Sequence, residues 1–216
     1  MLKRNRTIEV SDTKRKLLDS GVKLMRARGY NATTVDHICG DAGVTKGGFF
    51  HYFKSKDDIA RAAVAHFYEE KKLSYAEARF RKLADPLERV FGRLDYVKES
   101  VGGASRVTKG CLIGMFAQEL AVSNPEIRDV CQSYFTNIVR DFTNDLAEAK
   151  AAYAPGARFE PKALAQLYVS IVQGSLMLSK IAGSNEIFSS NIEQFREYLK
   201  SQFGLNAPKS PAKSRG

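Results

Sequence analysis

Apolar residues recur every three to four positions along most of the chain, the spacing of helices that bury one face. No stretch alternates polar and apolar as a half-buried strand would. Residues 12–29 read as a first helix. Leu17, Leu18, Gly21, Val22, Leu24 and Met25 form one side, and Lys14, Arg15, Lys16, Lys23, Arg26 and Arg28 cover the other. Gly29 closes it as a C-cap. Val35, Ile38, Cys39 and Ala42 make one face of a short second helix. Thr34 stands at its N-cap, with His37 where a capping box usually has Glu. Gly43 suits a tight turn, and Thr45 caps a third short helix that Val44 and Phe53 pin to the second. Ser55 and Asp58 then cap a long helix over 56–82, carrying Ile59, Ala62, Ala63, His66, Phe67 and Phe80.

Asp85-Pro86 breaks that helix and opens a fifth, running to about residue 100. Gly102-Gly103 opens a loop, and 110–122 is a short, nearly all-apolar sixth helix. Asn124-Pro125-Glu126 starts a seventh, with a stripe from Ile127 to Leu146, and Ala154-Pro155-Gly156 ends it. The eighth, 160–182, is apolar almost all round and needs two partners; the ninth, 186–203, is amphipathic. The pattern therefore predicts an all-α protein of about nine helices, a three-helix head followed by a helical bundle. The head contains helix, glycine turn, helix, the arrangement whose second helix enters the DNA major groove. The expected domains are a DNA-binding head at 1–56, a ligand-binding and dimerisation domain at 57–205, and a disordered basic tail at 206–216. The eighth and ninth helices suggest a four-helix interface with a second copy.

Charge sharpens this picture. The formal net charge is +10. Residues 1–56 hold 12 Lys/Arg against 5 Asp/Glu, 57–205 hold 19 of each, and 206–216 hold three basic residues and no acidic ones. A basic excess confined to the head and tail is a footprint for nucleic acid, against the plainer reading of a solvated basic surface. The polar first ten residues, with Lys3, Arg4 and Arg6, are expected to fray. No apolar run nears the roughly 20 residues of a membrane span, and the N-terminus lacks an apolar signal core. Three well-separated cysteines, Cys39, Cys111 and Cys131, suit a reduced cytoplasmic protein without a disulfide framework. There is no HxxH, HExxH, CxxC, G-x-S-x-G or Walker pattern, so no metal site, cofactor or enzyme activity is expected.

Gly43-Val44-Thr45-Lys46-Gly47, Phe49-Phe50-His51-Tyr52-Phe53 and Ser55-Lys56-Asp57 resemble the DNA-binding signature of the TetR/AcrR transcriptional repressors, over about fifty N-terminal residues. The resemblance implies a homodimer bound to a near-palindromic operator. It implies that Thr34 and Thr45 touch phosphate as well as capping, although a cap alone is worth about 1 kcal/mol. Lys46 is expected to reach guanine or a phosphate, and Gly47 and Gly48 to admit a close approach of backbone to DNA. His51 and Tyr52 would face the groove wall, and Lys56, at a helix N-terminus, a phosphate. Phe49 and Phe53 belong to the head core. The family often has Tyr where Phe50 stands, so that phosphate contact is absent or moves to Tyr52.

Thr108-Lys109-Gly110-Cys111-Leu112 resembles a subgroup that senses electrophiles or oxidants. This implies a reactive Cys111 paired with Lys180; a thiol at a helix N-terminus near an ammonium is activated. The opposing reading packs Cys111 as a small hydrophobe, as is expected of Cys39 and Cys131. An effector pocket among helices 4–8, lined by Phe67, Tyr96, Met115, Phe116, Phe135, Tyr168 and Met177, would suit a small, largely uncharged ligand. Ligand or modified Cys111 would then push the long fourth helix like a lever and release DNA. The alternatives are a thiol-based redox or detoxification enzyme using Cys111, and a non-specific nucleoid-type DNA binder.

Overall fold

Helix α1 (Leu2–Arg28) begins well before residue 12, and the stretch expected to fray continues it. Nothing between residues 2 and 20 is glycine or proline, so no residue interrupts the helix. The computed structural model describes residues 2–101 and 110–205. The Gly102-Gly103 loop, Thr108-Lys109, the tail 206–216 and the side chains of Lys3, Arg4 and Arg6 lie outside the described residues. Among the described residues there are nine α-helices, one 3-10 turn and no strand.

The chain divides into two compact units, Met1–Glu77 with Lys109–Asn137, and Ala78–Thr108 with Ile138–Gly216. In the first, α1, α2 (Val35–Ala42) and α3 (Lys46–Tyr52) share a core with α4 (Lys56–Ala76), α6 (Leu112–Glu119) and the start of α7 (Pro125–Tyr153). Leu17, Met25, Ile38, Phe49, Ile59 and Phe116 are all fully buried there. This division falls elsewhere than the 56/57 boundary drawn from sequence, because α4 and α6 bury Ile59, Ala63, Phe67, Leu112 and Phe116 in the same core as the helix-turn-helix. Helix α4 packs on α1 at Gly21, where Ile59 and Ala63 lie within van der Waals reach of the position a Cβ would take.

The second unit holds a 3-10 turn (Arg79–Lys82), α5 (Pro86–Val101), the rest of α7, α8 (Pro161–Ala182) and α9 (Glu186–Gln202). The fourth helix stops at Ala76, six residues short of the expected end, because Phe80 leaves helical register to bury itself on α5. Gly92 makes the space, since a Cβ there would sit 2.6 Å from Phe80 Cβ. Arg93, 1 % exposed, lies over the Phe80 and Phe142 rings and donates to Asp145 Oδ2 at 2.8 Å. Arg89 donates to the other Asp145 oxygen at 3.2 Å. Two guanidiniums thus share one buried carboxylate, which makes that carboxylate indispensable. Helices α8 and α9 pack together through Leu164, Tyr168, Val172, Phe188, Ile192 and Phe195.

Candidate nucleic-acid interface and sensing cysteine

The helix-turn-helix is held by its caps. Thr34 Oγ1 accepts the His37 N–H at 3.2 Å, and His37 Nδ1 accepts the Thr34 N–H at 3.3 Å. The capping box therefore closes with an imidazole in place of a carboxylate. Gly43 takes the left-handed conformation (φ 64°) that turns the chain between α2 and α3. Thr45 Oγ1 accepts the Gly48 N–H at 3.1 Å, and Ser55 Oγ the Asp58 N–H at 3.1 Å. Phe49 and Phe53 are in the core, as expected, with Val44 packed against them.

What remains outward on α3 is limited. Gly47 is exposed, and Gly48 is hemmed in: a Cβ there would lie 2.8 Å from Val44 Cγ1. Phe50 is 55 % exposed, and His51 is exposed and edge-on to Tyr52, their rings 4.8 Å apart. Tyr52 itself packs partly against the core. Lys46 is exposed but bridges Asp36 of α2 at 2.8 Å, and this pairing raises the Lys46 ammonium above its usual range. Asp36, an exposed acid on α2, gives no local signal in the sequence; it sits ten positions from its partner, on another helix.

Lys56 is turned inward. Its ammonium lies 4.0 Å from the Tyr30 ring centroid and donates to the Tyr30 carbonyl at 3.3 Å. Tyr30 is a second group that the sequence did not flag. Its hydroxyl donates to Asp57, its backbone N–H donates to Glu119 at 3.1 Å, and its ring stands edge-on to Phe116. Burial and the Asp57 carboxylate together hold the Tyr30 phenol well above its ordinary range. The corner after α1 is thereby tied to the first turn of α4 and the last turn of α6.

The other end of α6 is tied as well. Arg26 donates from Nε and Nη2 to the Gly110 carbonyl, at 3.2 and 2.9 Å. The next residue, Cys111, occupies the N-cap of α6, half-buried, with its side chain making no cap bond. Arg26 and Lys71 both feel the charge of Cys111 electrostatically, and both lie over the Phe67 ring. Burial lowers both cations from their usual ranges, and the charge of Arg26 lowers Lys71 further. The expected partner Lys180 is on α8, in the other compact unit, whereas Arg26 and Lys71 are in the same unit as Cys111. Cys39 and Cys131 are buried, as expected, and burial pushes the Cys131 thiol up to about 11.

The residues expected to line an effector pocket do not act alike. Phe67, Phe116 and Tyr168 are fully packed core residues, 4, 0 and 5 % exposed. Met115 and Phe135 are partly buried in the first unit; Tyr96, in the second, lies against Phe80 with the rings tilted by 49° and centroids 5.6 Å apart. Met177 is 53 % exposed on α8, on the side away from the buried face of Leu176 and Val172. A groove of about 410 Å³ runs between α8 and α9, bordered by Leu167, Ile171, Leu178, Phe195 and Tyr198.

Residues 17–63 match the family described as bacterial regulatory proteins, tetR family, and residues 86–194 match the C-terminal domain of LmrA/YxaF-like transcriptional regulators. The HTH-type transcriptional repressor DhaR of Mycobacterium sp. (strain GP1) is 24 % identical over 170 residues, 79 % of this chain and 83 % of its own. A solved structure of the regulatory protein TetR from Rhodobacter sphaeroides superposes with a TM-score of 0.75 at 24 % identity, covering 85 % of this chain and 97 % of its own. The reduced form of E. coli NemR gives 0.71 at 21 %, covering 86 and 96 %. These two structural likenesses bear on the fold.

Proposed function

The chain belongs to the TetR family of bacterial transcriptional regulators, and from this we propose that it is a homodimeric repressor whose hold on a palindromic operator is released through Cys111. The doubly capped helix-turn-helix, with Phe50 and His51 exposed beside Lys46, is the observation that carries the DNA-binding reading. Thr34 and Thr45, both exposed, cap the two helices through their hydroxyls, and Gly47 would admit the backbone to the groove.

Dimerisation is assigned to α8 and α9. Leu167, Met177, Leu178, Ile181 and Tyr198 are each at least 40 % exposed on these two helices, and their groove would receive side chains of a second copy. Two heads would then address half-sites about 34–36 Å apart, or near a multiple of that spacing.

Cys111 is assigned as the release point because two partly desolvated cations interact with it electrostatically and because its helix is fastened to the head. Addition to an α,β-unsaturated carbonyl would form a C–S bond, and the α-carbon would take up a proton. The adduct would enlarge the half-buried side chain at the N-cap of α6 and strain the adjacent Arg26 clamp on Gly110. Fluorescence anisotropy with the DNA flanking the chain's own gene, against a shuffled duplex at one salt concentration, tests the reading. The expected result is specific binding that an enal abolishes in the native protein and not in Cys111→Ser. Equal release in both proteins would remove Cys111 from the mechanism. Equal affinity for both duplexes would favour a non-specific DNA binder, and many equivalents of product per chain would favour an enzyme.

A further inference from the structure

Asp19 of α1 and His66 and Glu70 of α4 bring three potential ligand atoms to one place, all within 4.8 Å of one another. His66 Nε2 is 2.9 Å from Asp19 Oδ1 and 3.5 Å from Glu70 Oε1. His66 and Glu70 are one helical turn apart, so both side chains rise from the same face of α4. Asp19 reaches across from a helix packed against α4 through Gly21.

The charge around this cluster is unusual for so basic a chain. Lys23 pairs with Asp41, Arg15 and Lys16 pair with Asp12, and Lys72 pairs with Glu69. Among the described residues, no lysine or arginine comes within ion-pair distance of Asp19 or Glu70. Two carboxylates therefore converge on one imidazole with no lysine or arginine ion pair on either, although Lys71 feels the Glu70 charge at longer range. That leaves a site of charge about −2 when the imidazole is neutral.

We propose that Asp19, His66 and Glu70 form a binding site for a borderline first-row divalent cation, of which zinc is the type. Zinc bonds to imidazole nitrogen at about 2.0–2.1 Å and to carboxylate oxygen at about 2.0–2.2 Å. In a tetrahedron of those bonds the ligand atoms stand roughly 3.3–3.5 Å apart. The His66 spacings of 2.9 and 3.5 Å lie close to that edge, and the third spacing, between the two carboxylates, is within 4.8 Å, so rotations of the exposed Asp19 and Glu70 side chains can complete the geometry. One nitrogen with two oxygens favours zinc, cobalt or nickel over calcium and magnesium, which prefer oxygen alone. The open surface leaves a fourth position for water. A bound ion would pin α1 to α4, the two helices that frame the head.

Equilibrium dialysis of the full chain against Zn²⁺, with the visible spectrum of the Co²⁺ form, tests the site. One ion per chain is expected, and the Co²⁺ form should show d–d bands without thiolate charge transfer. With free Zn²⁺ about a hundred times the dissociation constant, the unfolding midpoint should rise by about 5–10 °C. His66→Ala should lose both the ion and the rise, and Cys111→Ser should keep both. Should His66→Ala misfold, Asp19→Asn, nearly the same shape, gives the same comparison. No binding, undiminished binding in these variants, or binding lost only in Cys111→Ser would overturn the assignment.

Discussion

Replacing Asp36 by Asn should make DNA binding more salt-sensitive, by an amount set by one phosphate. In the native protein the Lys46 ammonium is bridged to Asp36 at 2.8 Å, with both side chains nearly two-thirds exposed. A lysine neutralised within the protein need not displace a counterion when DNA arrives. Each phosphate newly neutralised steepens the dependence of log K on log salt by about 0.9. Asp36→Asn keeps the shape of the side chain and frees Lys46, so the slope should become more negative by about 0.9. Over a fourfold change, from about 50 to 200 mM salt, the variant should lose about 3.5-fold more affinity than the native protein. Fluorescence anisotropy over a salt series reads this directly. The double variant Asp36→Asn/Lys46→Ala should return to the native slope. An unchanged slope in Asp36→Asn would show that Lys46 already meets a phosphate with Asp36 in place. A steeper slope that survives in the double variant would assign the effect to the lost carboxylate alone. Either outcome refutes the claim that Asp36 masks Lys46.

The packing supports three further expectations. Asp145→Ala leaves the buried Arg93 charge without its carboxylate and should cost about 3–5 kcal/mol, read as a lower urea midpoint with an unchanged m-value. Gly92→Ala forces a methyl to within 2.6 Å of Phe80 Cβ and should cost about 1–3 kcal/mol, where a solvent-facing helical glycine would gain from the same change. Because burial raises the Cys131 thiol to about 11, its contribution to stability is full below the ordinary thiol value and is lost as pH rises through about 11. Melting temperatures across that range should fall less steeply in Cys131→Ala than in the native protein.

The head was legible because its determinants are local. Thr34, Gly43, Thr45 and Ser55 act within four residues of themselves, and a single sequence displays such spacings. Helix existence was equally plain for α5, α7, α8 and α9, where proline, asparagine and glycine punctuate long periodic stripes. The premature end of α4 was not legible, since Phe80 fits the helical period and departs from it only because Gly92 offers a place on α5. Tyr30 gave no local signal: its partners Asp57 and Glu119 lie 27 and 89 residues away. Histidine spacing along the chain could not display the cluster at His66, because Asp19 comes from another helix 47 residues earlier. The expected Cys111–Lys180 pair joins residues of different units, whereas the electrostatic influence of Arg26 and Lys71 on Cys111 arises within its own unit, from residues 85 and 40 positions away.

The two ties on α6 also bear on how the protein is made. Arg26 waits for Gly110, 84 residues on, and Tyr30 for Glu119. When the ribosome has synthesised the whole helix-turn-helix, Leu112, Ile113 and Phe116 are still to come, although all three are fully buried in the core beneath it. At about 5–20 residues per second, the interval from Glu77 to Asn137 lasts about 3–12 s. Throughout it the nascent head exposes the apolar surfaces of α1 and α4 that α6 will later cover. Translation speed between those two points, more than the stability of the finished fold, thus sets how long the chain is open to aggregation or to a chaperone.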